Sequence, residues 1–158
     1  MLNRLLTPHG EALLHSGETP WNVHPKPQMK RDSWINLNGK WEFSAADFTG
    51  EINVPFCPES ILSGVEKHFP EGSQLRYRRI FTLPEGFDRG RVLLHIGAAD
   101  QHAEVSLNGR ELCRHSGGYE AFTVDITEAL QEENELVICC RDDLNDQAQP
   151  SGRVKMRR

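Results

Sequence analysis

The chain has few of the features that would mark most functional classes. No apolar run approaches the ~20 residues needed to cross a membrane as a helix. Near the N-terminus, His9, Glu11 and His15 interrupt the one apolar stretch, so it does not read as a signal peptide. Cysteine is sparse, at four residues (Cys57, Cys113, Cys139 and Cys140), and no C-x-x-C occurs. A zinc ribbon or thioredoxin-type site is therefore unsupported. Cys139 and Cys140 are neighbours on a would-be strand and point to opposite faces, so they cannot readily pair. The expectation is buried thiols in a reducing compartment, with the chain cytoplasmic. Positive charge is also short. Four of the 18 basic residues fall in the last six positions. Taking those four charges away from the total of −5 leaves −9 on the rest. Such an acidic body is a poor partner for phosphate backbones, which excludes nucleic acid as the expected ligand. No membrane partner, cofactor or metal is implied.

What is present is a chain of 158 residues with 37% hydrophobic and 26% charged residues and a mean hydropathy of −0.56. That suffices for one ordinary domain with a core of its own. The pattern is one of short alternating runs. In Arg91 to Ala98, the side chains of Val92, Leu94, Ile96 and Ala98 share a face. In Gln101 to Leu107, Ala103, Val105 and Leu107 alternate with His102, Glu104 and Ser106. If these two runs pair antiparallel, Ile96 meets Ala103, Leu94 meets Val105 and Val92 meets Leu107. The alternative is that Gly97 to Asp100 carries the chain between two sheets. Asn108-Gly109 marks a tight hairpin turn.

Further strands are expected at Lys40 to Ser44, Glu51 to Val54, Arg76 to Leu83, Arg110 to His115 and Thr123 to Asp125. Leu136 to Cys140 is continuously apolar, as in a strand buried on both faces. Arg79 shares a face with Tyr77 and Phe81, which is awkward for a core strand. Pro58 to Lys67 has room for one helical turn stopped by Gly64, and Thr127 to Leu130 for another, capped by Asp125 or Thr127. Pro8, Gly10, Gly17, Pro20, Pro25 and Pro27 suggest an irregular lead-in. Many short strands and no helix of three turns indicate an all-β, antiparallel β-sandwich. The expected organisation is a lead-in over 1–27, a sandwich over 28–143 and a polar, basic tail over 144–158.

Several pieces also carry a resemblance, in order along the chain. They are INLNGKWEF at Ile35 to Phe43, VPFCPESILSG at Val54 to Gly64 and YRRIFTLP at Tyr77 to Pro84. VLLHIGAAD at Val92 to Asp100 and AEVSLNG at Ala103 to Gly109 follow. HSGGYEAFTVDIT at His115 to Thr127 and NELVICCRDD at Asn134 to Asp143 complete the set. Together they resemble the N-terminal sugar-binding domain of family 2 glycoside hydrolases, the beta-galactosidase and beta-glucuronidase group. The resemblance implies a jelly-roll of the galactose-binding-like kind. It also implies a parent enzyme that hydrolyses a β-linked sugar with retention, using two glutamates on a later (β/α)8 barrel. Such a barrel takes about 250 residues, so this chain is expected to be non-catalytic by itself. The implied partners are that barrel, the sugar it holds and a homo-oligomer. The family's Gly-Ile-Trp-like last strand has no counterpart before the terminal RVKMRR. This implies a fragment, a truncated gene or a deliberately shortened chain, with a sheet edge left open.

By position in the family, the loop after Leu136 to Cys140 reaches towards substrate. Asp142, Asp143, Asn145 and Asp146 are the candidate substrate-binding residues. Solvated loop carboxylates are the bland alternative. Other constellations have ordinary readings beside the chemical ones. Asn134-Glu135 imitates a catalytic dipeptide but reads as turn residues. His95, His102 and Glu104 would suit zinc only if their strands pair. Arg76, Arg78 and Arg79 could clamp a carboxylate, or pair with Asp100, Glu104, Asp142 or Asp143. Asp100 is expected to brace its loop, and Gly117-Gly118-Tyr119 to form a bend with Tyr119 packed. A free-standing carbohydrate-binding module would show exposed aromatics. Trp34 and Trp41 are expected in the core, which leaves Trp21 as the free indole.

Overall fold

The computed structural model describes residues 6–29 and 32–142. Among the described residues, eight strands form two antiparallel sheets. They are β1 (Gly39–Ala45), β2 (Phe48–Val54), β3 (Gln74–Phe81), β4 (Leu93–Ile96), β5 (His102–Leu107), β6 (Arg110–Ser116), β7 (Phe122–Asp125) and β8 (Asn134–Arg141). The larger sheet runs β2-β1-β3-β8-β5-β6, and the smaller one is β4-β7. The sheets enclose one core. Trp41, Phe43, Ile52, Val105, Leu107 and Leu136 come from the large sheet, and Val92, Leu94, Val124 and Ile126 from the small sheet and its flanks. Val105 and Leu107 are wholly buried, as the alternation in Gln101 to Leu107 requires.

The two runs that could have paired with each other do not. β4 pairs with β7, placing Ile96 opposite Phe122. β5 lies between β6 and β8, with Val105 opposite both Cys113 and Ile138. Residues 97–101 thus carry the chain from one sheet to the other. The face also changes within that connection, because Ala98 is exposed and Ala99 buried. The Asn108-Gly109 hairpin is as expected, with φ of 53° and 78° at its two central residues.

Three expectations need correction. The lead-in contains a helix, α1 (Pro8–Ser16). Thr7 caps it by accepting from Gly10 N at 3.1 Å, and Gly17 ends it with φ of 66°. Proline in the first turn and glycine just past the end mark helix boundaries, so these residues delimit the helix instead of preventing it. Leu136 to Cys140 is not buried on both faces. Leu136 and Cys140 point into the core, while Val137 and Cys139 are half-buried on the outer face beside polar neighbours. Of the four cysteines, all free, Cys140 alone is buried, and Cys57 is exposed.

Arg79 has a specific use. Its row faces the core, but its guanidinium turns to the sheet end and donates to Lys40 O at 2.8 Å and Asn38 O at 3.4 Å. The same end anchors the lead-in. Asn36 Nδ2 donates to the carbonyls of Pro20 (3.3 Å) and Trp21 (3.2 Å), and Asn38 Nδ2 also reaches Pro20 O at 3.3 Å. The turn at Thr127–Ala129 is held by Asp125, whose Oδ1 accepts from Thr127 N at 3.1 Å and Thr127 Oγ1 at 2.6 Å. These bonds, with the Arg91 guanidinium at 2.7 Å, hold the Asp125 carboxyl down to about 2.

Candidate functional site

At the end of the large sheet where β3 starts and β8 finishes, four segments meet. Gln74 pairs with Arg141 there, and His102 pairs with both Arg141 and Ser116. Gln101 N donates to Arg141 O at 3.3 Å, Gly117 N to Gln101 O at 2.9 Å and Gly72 N to Asp142 O at 3.2 Å. The Asp100–Gln101 peptide bond is cis. The turn at Gly117-Gly118 closes against Asp100. A β-carbon added to Gly118 would stand 2.0 Å from Asp100 Oδ1, so no other residue fits there without moving the carboxylate. Asp100 therefore does pack against its neighbouring loop.

The rim built this way is acidic. Partial burial raises the Asp100 pKa, and the Asp142 carboxylate adds to the shift. Asp142 is half-buried, and its Oδ1 is shut off from solvent with no hydrogen-bond partner among the described residues. Behind the rim, burial, then Cys139 and then Asp100 push the Cys140 thiol up to about 12. Tyr119, expected to be packed, is instead 81% exposed. Its neighbour Phe122 is the packed ring, stacked on His115 with centroids 4.0 Å apart. The rim thus offers two carboxylates as hydroxyl acceptors, a backbone bare of side chain at Gly118, and an exposed phenol. Of the four predicted substrate-binding residues, Asp142 stands at this rim. Asp143, Asn145 and Asp146 lie outside the described residues.

The other constellations do not assemble. Arg78 and Arg79 diverge, so the three arginines form no single clamp. Arg78 sits on the outer face between Glu42 (2.6 Å) and Glu135, while Arg79 turns to backbone carbonyls. Arg78 thus pairs with carboxylates other than the four predicted, because cross-strand neighbours on β1 and β8 reach it first. His95 and His102 lie in different sheets, bonded to Thr123 Oγ1 (2.8 Å) and Ser116 Oγ (2.9 Å), and Glu104 faces Arg114 at 3.5 Å. No group of three metal-ligating side chains occurs among the described residues. Asn134 is fully buried and tied to Asn108 and Gln131, and Glu135 holds Arg78. A shallow outer-face depression of about 360 Å³, lined by Arg78, Ile80, Asn108, Gln131, Glu133 and Glu135, shares no residue with the rim. Its Arg78 and Glu135 already pair with each other.

The sequence matches the glycosyl hydrolase 2 galactose-binding domain-like family over residues 55–156. The chain belongs to that family. It is 38% identical over 81 residues to the beta-glucuronidase of Paenibacillus borealis, covering 50% of this chain and 14% of that protein. It is 28% identical over 118 residues to the beta-galactosidase of Thermoanaerobacter pseudethanolicus, covering 67% of this chain and 16% of that protein. Among solved structures, it resembles the Bifidobacterium dentium beta-glucuronidase complexed with coumarin-3-O-glucuronide. The TM-score there is 0.58 at 28% identity, over 72% of this chain and 21% of that one. The chain thus spans about a fifth or less of each of these relatives. Among the described residues, no helix is long and apolar enough to cross a membrane.

The convergence of Asp100, Gly118 and Asp142 could not be read from the sequence. Each residue stood out as a turn or loop signal, but the three are far apart in the chain. The β5–β6 hairpin sets Asp100 near Gly118, and the pairing of β8 with β3 and β5 brings Asp142 to the same end.

Proposed function

We infer that this domain is the non-catalytic sugar-binding domain of a family 2 β-glycosidase of the beta-glucuronidase and beta-galactosidase kind. In this reading, hydrolysis belongs to a barrel elsewhere in the same polypeptide. The rim of Asp100, Gly118 and Asp142 faces that barrel and accepts hydroxyl hydrogen bonds from a β-linked sugar. The observation that carries the reading is the pair of carboxylates, Asp100 and Asp142, gathered beside Gly118 at one sheet end. Carboxylates accept strong, charge-assisted hydrogen bonds from sugar hydroxyls. The family match and the partial coverage of glycosidase relatives support the rest.

Chromogenic β-glucuronide and β-galactoside turnover tests it. This chain alone is expected to hydrolyse neither. In the longer polypeptide that the reading requires, Asp142→Asn should raise KM about tenfold, the loss of roughly one charge-assisted hydrogen bond. Turnover by the isolated chain, or an unchanged KM in the variant, would overturn the reading.

A further inference from the structure

At the opposite end of the large sheet, the lead-in presents Trp21 with its indole 62% exposed. Its backbone sits at φ of 49°, a left-handed conformation that a bulky L-residue rarely adopts and that raises the free energy of the fold. The conformation is nonetheless firmly held. Pro20, just before it, is fully buried, and the carbonyls of Pro20 and Trp21 are both taken by the side-chain amides of Asn36 and Asn38. The ring leans on Phe56, with centroids 5.3 Å apart and planes at 42°. The chain therefore spends hydrogen bonds and a strained backbone on keeping a large apolar ring in water. Backbone strain of this kind persists only where the surroundings over-determine it.

We propose that Trp21 is a stacking platform for a single pyranose ring, separate from the rim of Asp100 and Asp142. The apolar C–H face of a pyranose carries slight positive charge, which the negative face of an indole attracts. A rigid, pre-positioned ring pays little entropy when the sugar docks. Polar side chains flank it: Asn22 and Glu18 are exposed beside Trp21 in sequence, and Asn36 holds it from below. Val23 and Met29 of the same lead-in are exposed as well. Trp21 adjoins the start of β1, while the rim lies beyond the start of β3, on the order of 20 Å away along that strand. The family match begins at residue 55, so Trp21 lies outside it. The proposal stands independently of the rim's role.

The experiment titrates this protein with methyl β-D-galactopyranoside, methyl β-D-glucuronide and cellobiose, following the Trp21 indole N–H resonance and the heat of binding. At least one sugar should bind with a Kd of about 1–10 mM and shift that resonance. Trp21→Asn, whose new side chain tolerates the left-handed backbone, should weaken binding at least tenfold. Glu111→Gln, at an exposed position of β6, should leave it unchanged. Phe56→Leu, which removes only the buttress, should weaken it several-fold and serves if Trp21→Asn fails to fold. The proposal is overturned if no sugar perturbs Trp21, if the Trp21→Asn protein binds as well as the parent, or if Trp21 instead mediates self-association in sedimentation.

Discussion

The two ends of the large sheet bring loops together by opposite means. At the clamp end, side-chain amides and a guanidinium absorb backbone carbonyls. Asn36 and Asn38 hold the lead-in, Arg79 takes the Lys40 carbonyl, and the buried Asn134 bonds to Gln131 N (2.9 Å), Gln131 O (2.9 Å) and Asn108 Nδ2 (3.1 Å). At the rim end, Gly118 leaves room for a carboxylate, and a second carboxylate lies near enough to raise the pKa of the first. Each end keeps one buried polar atom without a protein partner among the described residues, Arg79 Nε at the clamp and Asp142 Oδ1 at the rim. The ends differ in charge instead: amides and a guanidinium build the clamp by taking up carbonyls, while the rim gathers two carboxylates.

Breaking the clamp should cost most. Asn134→Ala would orphan the Gln131 amide and carbonyl and should remove about 3 kcal/mol of stability, measured by urea unfolding. A loss below about 1 kcal/mol would mean that the network relaxes onto water. At the rim, Gly118→Ala should cost about 2 kcal/mol, because its β-carbon meets Asp100 Oδ1. In an Asp100→Ala background, the same change should cost less than half as much, a coupling that a double-mutant cycle reads directly.

The next effect is on alkaline stability. The Cys140 thiol has a folded pKa raised from 9.0 to about 12, so the unfolded chain loses its proton first. Stability is intact below pH 9 and falls as pH rises towards 12, on the order of 1–2 kcal/mol by pH 11. Cys140→Ala should flatten that part of the profile, although Tyr77, also raised by burial, keeps some slope. The smallest effect separates the rim's acid from Asp125. Asp100 is raised, so its contribution weakens as pH climbs through the carboxyl range; Asp100→Asn should stabilise by a few tenths of a kcal/mol at pH 7 and by nothing near pH 3. Asp125 is lowered to about 2, so its contribution is present above 3.8 and is lost as pH falls towards 2. If melts of the two Asn variants show the same sign of pH dependence, the distinction between the carboxylates fails.

Much of the fold was legible residue by residue. The alternation of Ala103, Val105 and Leu107 gave their burial, Asn108-Gly109 gave the hairpin, and Gly64 ended the turn at Ile61–Ser63 with φ of 79°. Less of the site was legible. Asp142 was picked out by its place after β8, but the exposure of Tyr119 was misjudged. A glycine pair signals a bend and says nothing about which of the next side chains turns inward. The helix Pro8–Ser16 was missed because proline and glycine change meaning with position, breaking a helix inside it and delimiting one at its ends.

The amino-acid order by itself determined the antiparallel two-layer architecture and the faces of its strands, because side chains alternate and local turn chemistry needs no distant partner. Only the tertiary structure decided that β4 joins β7 while β5 enters the large sheet, and with it which loops share an end. Hydrophobic alternation tells a strand which side to bury but not beside whom. That choice belongs to the packed core as a whole, and it alone brings Asp142 to Asp100 and Gly118 and sets Trp21 at the other end.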